Sequence, residues 1–201
     1  MVALALGLAA SLQPAAAMPL FNIPSTSMMP TLQAGEVILA VPLTAPPQRG
    51  DIVVYTMDDQ SWLGRVIAFA GESVELRHGQ IFIDGTALPQ TPLADAIEDG
   101  CPDFLQPDAT CTFLRETMPD GRSYAIIDSL PDSMVDTMPA QRVPKGSVFI
   151  MADNRDNAVD SRLPQHGAVA VSAILGMVQN VVVSAHLGTG ADRLAGFPEA
   201  R

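Results

Sequence analysis

Short apolar runs, interrupted every few residues by glycine and proline, are the strongest constraint on how this 201-residue chain can fold. Residues 37–41 (VILAV), 51–55 (DIVVY) and 62–70 (WLGRVIAFA) are short apolar or alternating runs of strand length, bounded by glycine and proline. Residues 74–76 and 80–83 flank His78-Gly79, which reads as a hairpin turn, and Asp84-Gly85 reads as a second. Residues 124–127, 148–151 and 176–183 complete a set of about eight strands. Only residues 93–99 carry a weak helical period. With 17 prolines and 15 glycines placed between such runs, the pattern predicts an all-β, antiparallel, Greek-key-like domain. Residues 86–142 are richer in proline and aspartate and hold both cysteines, so they read as an inserted β subdomain within a domain spanning 21–185, with 186–201 as a tail.

Charge removes several function classes. Twenty-two acidic residues against 11 basic ones give a formal net charge of −11, which repels nucleic acid phosphates and offers no polybasic patch to an anionic membrane. Ten of the 11 basic residues are arginine; the single lysine is Lys145.

The first charged residue is Glu36. Residues 1–12 form an apolar run of signal-peptide length, and Ala15-Ala16-Ala17 offers a small-x-small cleavage site. A spanning helix needs about 20 apolar residues, so residues 1–20 read as an export signal or a weak interfacial anchor, without the usual basic start. The expected location is periplasmic, either soluble or attached to the outer face of the cytoplasmic membrane. In such a compartment Cys101 and Cys111 are most simply a local disulfide, worth about 3 kcal/mol for a loop of that size. No second Cys pair or nearby histidine supports a metal, and no cofactor is expected.

Chemistry concentrates in two stretches. The first is Pro24-Ser25-Thr26-Ser27-Met28-Met29-Pro30-Thr31-Leu32, a proline-bracketed turn with two serines, just ahead of a strand. A serine nucleophile needs a fixed backbone and donors for an oxyanion, and such a turn supplies both. The second is Asp153-Asn154-Arg155-Asp156-Asn157-Ala158-Val159-Asp160-Ser161-Arg162. Between them lie Gly50-Asp51-Ile52-Val53-Val54, Arg65–Val74 (RVIAFAGESV), Gly79–Gly85 (GQIFIDG) and Glu116–Arg122 (ETMPDGR).

In this order, over about residues 21–183, these blocks resemble the bacterial type I signal peptidases of peptidase family S26, serine endopeptidases that remove signal peptides from exported preproteins. The resemblance implies a signal-peptidase-like (LexA-like) antiparallel β fold and a Ser/Lys dyad. Ser27 matches the nucleophile and Ser25 the side-chain oxyanion donor. The family's lysine base immediately precedes the arginine matched by Arg65; here that position is Gly64. The serine that orients that lysine is replaced by Ala158. Both losses concern the same proton.

The resemblance also implies an apolar groove for small side chains at Phe21, Ile23, Pro24, Met28, Leu32, Trp62 and Leu63. Arg65 is expected to pair with Asp153, and Asn154, Arg155, Asp156, Asp160 and Arg162 to be structural near the site. Lys145 belongs to a turn, His78 to a hairpin and His186 to the tail, which leaves His166 as the one substitute base to weigh. The two functions to separate are a signal-peptide-cleaving enzyme and a catalytically silent relative that binds exported peptides. The self-cleaving repressors, a related Ser/Lys fold, lack the Asp153–Arg162 block.

Overall fold

A computed structural model describes residues 19–93, 111–130, 132–184 and 193–194. The fold is all-β and antiparallel, as expected. The strands are β1 (Leu20–Asn22), β2 (Val37–Val41), β3 (Ile52–Met57), β4 (Gln60–Phe69), β5 (Ser73–Arg77), β6 (Gln80–Ile83), β7 (Thr86–Ala87), β8 (Gln90–Pro92), β9 (Thr112–Thr117), β10 (Ser123–Asp128), β11 (Met138–Arg142), β12 (Ser147–Met151), β13 (Val169–Ala170) and β14 (Ile174–Val183). Seven form the main sheet in the order β1-β2-β14-β3-β4-β12-β13. Two smaller sheets, β10-β9-β8 and β11-β5-β6-β7, take all their strands from the chain between β4 and β12.

That excursion from the main sheet begins at Ser73, ahead of the residue-86 boundary suggested by composition. The reason is that β5 and β6 are as apolar as the main sheet and carry no compositional mark. In both, alternation sets the register: Val74, Leu76, Ile81 and Ile83 point inward onto Ile67, Phe149 and Met151. Their connecting turn puts His78 at φ 48° and Gly79 at φ 75°, the left-handed pair that a two-residue hairpin needs. Strand β9 was not anticipated, because TFLRET alternates weakly and lies in the proline-rich region.

Strand β3 is buried on both faces. Ile52 and Val54 join Ile23, Met28, Leu32, Ile38 and Ala40 on one side, while Val53 and Tyr55 join Val66, Val148 and Ile150 on the other. This explains why its sequence is an unbroken apolar run. Among the described residues no helix is long and apolar enough to cross a membrane. Residues 1–18 and 94–98, Cys101 and most of the 186–201 tail lie outside the described residues, and with them the export-signal and disulfide expectations.

Candidate active site

The Ser27 turn is held from beneath and from the side. Beneath it, Met28 and Leu32 are fully buried, and the Leu32 amide donates to the Met28 carbonyl at 2.8 Å. Burying each such side chain contributes about 1.5–3 kcal/mol, so the turn is anchored in the core. Met28 and Leu32 therefore support the turn from within the same apolar cluster that carries the cleft wall. From the side comes the loop after β12. Its Asn154 amide donates to the Ser27 carbonyl at 2.9 Å, the Asn154 side chain to the Thr26 carbonyl at 3.2 Å, and the Asn157 side chain to Thr26 Oγ1 at 2.8 Å. The Ser25 and Ser27 hydroxyls lie 3.1 Å apart, within hydrogen-bond reach.

The turn opens on a cleft of about 700 Å³. Phe21, Ile23, Pro24, Trp62, Leu63 and Ala158 line it together with both serines. Ile38, Val54 and Ala152 add to the apolar wall, and Ser61, Asn157 and Val159 sit among its other lining residues. Ile38 and Val54 were legible in principle, since each alternates onto the same face as Ile23 and Leu63.

Three buried ion pairs hold the 153–162 loop in place. Arg65 donates to Asp153 through Nε at 2.8 Å and Nη2 at 2.5 Å, and its guanidinium stacks 4.0 Å from the Tyr124 ring centroid. Thr31 Oγ1 also donates to Asp153, at 2.5 Å, tying the serine turn to the same carboxylate. Arg155 donates to Glu116 at 2.6 and 3.2 Å, and Tyr124 and Gln90 donate to that carboxylate as well. Burial pushes Glu116 up, but these partners outweigh it and hold the carboxyl below the usual range. Arg162 pairs with Asp160, which also accepts the Ala152 amide at 3.1 Å.

Gly64 does not line the cleft. It pairs with Val53, so its side of the strand is the one that carries Val53, Val66 and Ile150. His166 does not line the cleft either. Its Nδ1 faces the Gly167 carbonyl at 2.9 Å and its Nε2 the Tyr55 hydroxyl at 2.9 Å. A carbonyl only accepts, so Nδ1 carries a proton, and Nε2 is occupied by its hydrogen bond with the Tyr55 hydroxyl. Trp62 packs edge-on against the imidazole, with centroids 5.8 Å apart, and presents another part of itself to the cleft.

One group of described carboxylates is close enough to share a cation or a proton. Ligand atoms of Asp128, Asp136 and Asp156 lie within 4.8 Å of one another, at the junction of β10, the 129–136 loop and the 153–162 loop. Asp156 Oδ2 accepts the Ser129 and Leu130 amides at 2.8 and 3.0 Å, whereas the Oδ1 atoms of Asp128 and Asp156 are buried without a partner. Burial pushes Asp128 up to about 6, and the charges of Asp156 and Asp136 add to the effect. Burial raises Asp136 too, while Arg162 opposes that rise.

An unfolded aspartate titrates near pH 3.9, so the folded chain holds this proton more tightly than the unfolded one. The stability contributed by Asp128 is thus fully present below about pH 4 and is lost as pH rises through about 6. Asp128 is thus expected to make the melting midpoint lower near pH 7 than near pH 4, a difference confined to roughly the window this shift spans. Asp128→Asn should flatten that difference; an unchanged slope would remove Asp128 as its source.

The family model described as signal peptidase, peptidase S26, matches residues 1–183. A probable signal peptidase I-1 from Synechocystis is 30% identical over 164 residues, covering 73% of this chain and 65% of that protein. Signal peptidase I S of Bacillus subtilis is 28% identical over 145 residues, covering 71% and 65%. Signal peptidase I of Rickettsia prowazekii is 32% identical over 127 residues, covering 58% and 45%. The chain thus spans from under half to just under two thirds of the length of these relatives. A crystal structure of a signal peptidase I from Enterococcus faecalis aligns with a TM-score of 0.42 at 25% identity, covering 67% of this chain and 98% of that one. With the family match running unbroken from the first residue through the end of β14, this chain belongs to the signal peptidase family, peptidase S26.

Proposed function

We propose that this chain is a silent relative of the signal peptidases, one that holds the extended, small-residue segment of an exported preprotein beside Ser27 without cutting it. The observation that carries this reading is the lining of the cleft. Among its described residues the only ionisable side chain is Asp156, whose Oδ2 is engaged by two backbone amides and whose Oδ1 is buried. Among the described residues no lysine and no histidine lines the space from which a base would take the Ser27 proton. The substrate side is kept: apolar walls suit small side chains, and β1, paired only with β2 among the described strands, has an unpaired edge beside the cleft. An extended peptide can add to such an edge as a further strand.

The second reading is a working signal peptidase, favoured by the Ser25–Ser27 hydroxyl pair, which suits a nucleophile and a neighbouring oxyanion donor. Both readings take the chain to be exported, with Cys101 bonded to Cys111 and its work done in the periplasm or at the outer face of the membrane. The binding half is tested with a fluorescent peptide carrying an Ala-x-Ala segment. Ser27→Ala is expected to leave its affinity within about twofold, while Leu63→Asp, which puts an unpaired charge on the apolar wall, should cost at least about tenfold. If neither the wild type nor Ser27→Ala binds the peptide, the reading is wrong.

A further inference from the structure

A side chain at position 64 has no room. On the sheet, Gly64 lies opposite Val53, and the face it shares with Val66 is capped by Ile150 of β12. A Cβ built on Gly64 would stand 2.4 Å from Ile150 Cγ2 and 3.4 Å from the Met151 carbonyl oxygen. Carbon atoms in ordinary contact sit about 3.5–4.0 Å apart, so the first of these is a collision.

Ile150 is poorly placed to yield. It is β-branched, which leaves little choice at χ1. It is fully buried with Val53, Val66 and Val148. Both of its backbone polar groups are held by one residue, the amide donating to Ser161 Oγ at 3.0 Å and the carbonyl accepting from the Ser161 amide at 3.1 Å. The register shift between Phe149 and Ile150 then sets where along β4 this side chain falls.

We propose that Ile150 fills the space that any side chain at position 64 would need, so that a proton acceptor there is excluded by the packing of β12 and not only absent from β4. The proposal rests on reading position 64 as the base position of a silenced peptidase, and it makes glycine there a requirement of this chain. It also makes Ile150 a positioning residue in reverse, one whose Cγ2 methyl keeps a side chain out.

The test is a thermal-melt cycle with Gly64→Ala in three backgrounds: wild type, Ile150→Val and Ile150→Ala. Valine keeps both γ carbons and alanine keeps neither. Gly64→Ala is expected to lower the melting midpoint clearly in the first two backgrounds and to leave it nearly unchanged in the third. An equal loss in all three backgrounds, or no loss in any, overturns the proposal. This readout is independent of turnover: cleavage of a preprotein by the wild type would end the silent-peptidase reading but leave the melt cycle to decide the fate of Ile150.

Discussion

Purified wild-type protein, incubated with a preprotein carrying an Ala-x-Ala segment, is expected to leave it uncut. A positioned base is worth about 10²–10⁴ in rate, and losing one member of an interlocked catalytic unit costs up to about 10⁶. Ser27 keeps its turn, its Ser25 neighbour and its wall, yet no described lysine or histidine lines the cleft to take its proton. Residual cleavage should therefore fall about 10⁴–10⁶ below that of a peptidase with its base, and Ser27→Ala should match the wild type. Mass spectrometry of long incubations reads this directly. If the wild type cleaves and Ser27→Ala does not, a base has been supplied from elsewhere and the silent reading fails. His166 would then have to give up Tyr55 and act past Trp62. Gly64→Lys with Ala158→Ser is expected to stay inert while Ile150 remains, because the lysine's first carbon has nowhere to go.

Asp153→Ala should be the most damaging single change to the fold near the site. The Arg65 and Asp153 side chains are only 4% and 1% exposed, so removing the carboxylate leaves a guanidinium in the core with the Gly50 carbonyl and the Tyr124 ring. Breaking such a pair from one side costs about 3–5 kcal/mol, most of it the stranded charge. For a chain of this size that lowers the melting midpoint by roughly 6–20 °C. Replacing both partners by apolar residues of similar volume should recover much of the loss, since the desolvation cost disappears with the charges. A loss below about 1 kcal/mol for Asp153→Ala would mean that water reaches Arg65, and the buried-pair account would fall. Because Thr31 and the Asn154 backbone hang from the same corner, the Ser27 turn should loosen with it.

Much of this was open to a reader of the sequence. Strands β2 and β6 follow from short apolar runs bounded by glycine and other turn formers, and the Ser27 and Asp153–Arg162 stretches stand out as polar, proline-bracketed or charge-dense islands among apolar runs. The Arg65–Asp153 pairing was legible through the family resemblance, which makes Arg65 structural and points it at a carboxylate of the final block. What stayed hidden depends on direction and not on residue type. The burial of Met28 beneath the serine turn depends on how the turn is set against β2 and β3. Gly64 looks like a simple deletion of a side chain; that Ile150 already fills the space emerges only when β4 and β12 are set in register. Likewise, Asp128, Asp136 and Asp156 are scattered among 22 acids until three segments bring them together.

The place of β14 in the main sheet has a consequence for timing. It lies between β2 and β3, pairing Val181 with Ile38 and Met177 with both Val41 and Val53. Strand β2, which follows directly on the serine turn, cannot gain its second neighbour until the ribosome has delivered nearly the whole domain. Contacts so distant along the chain make folding slow, on the order of milliseconds to seconds. Until β14 arrives, the inner edge of β2 stays open beside a half-built cleft, so the wall beside Ser27 is among the last parts of this molecule to exist.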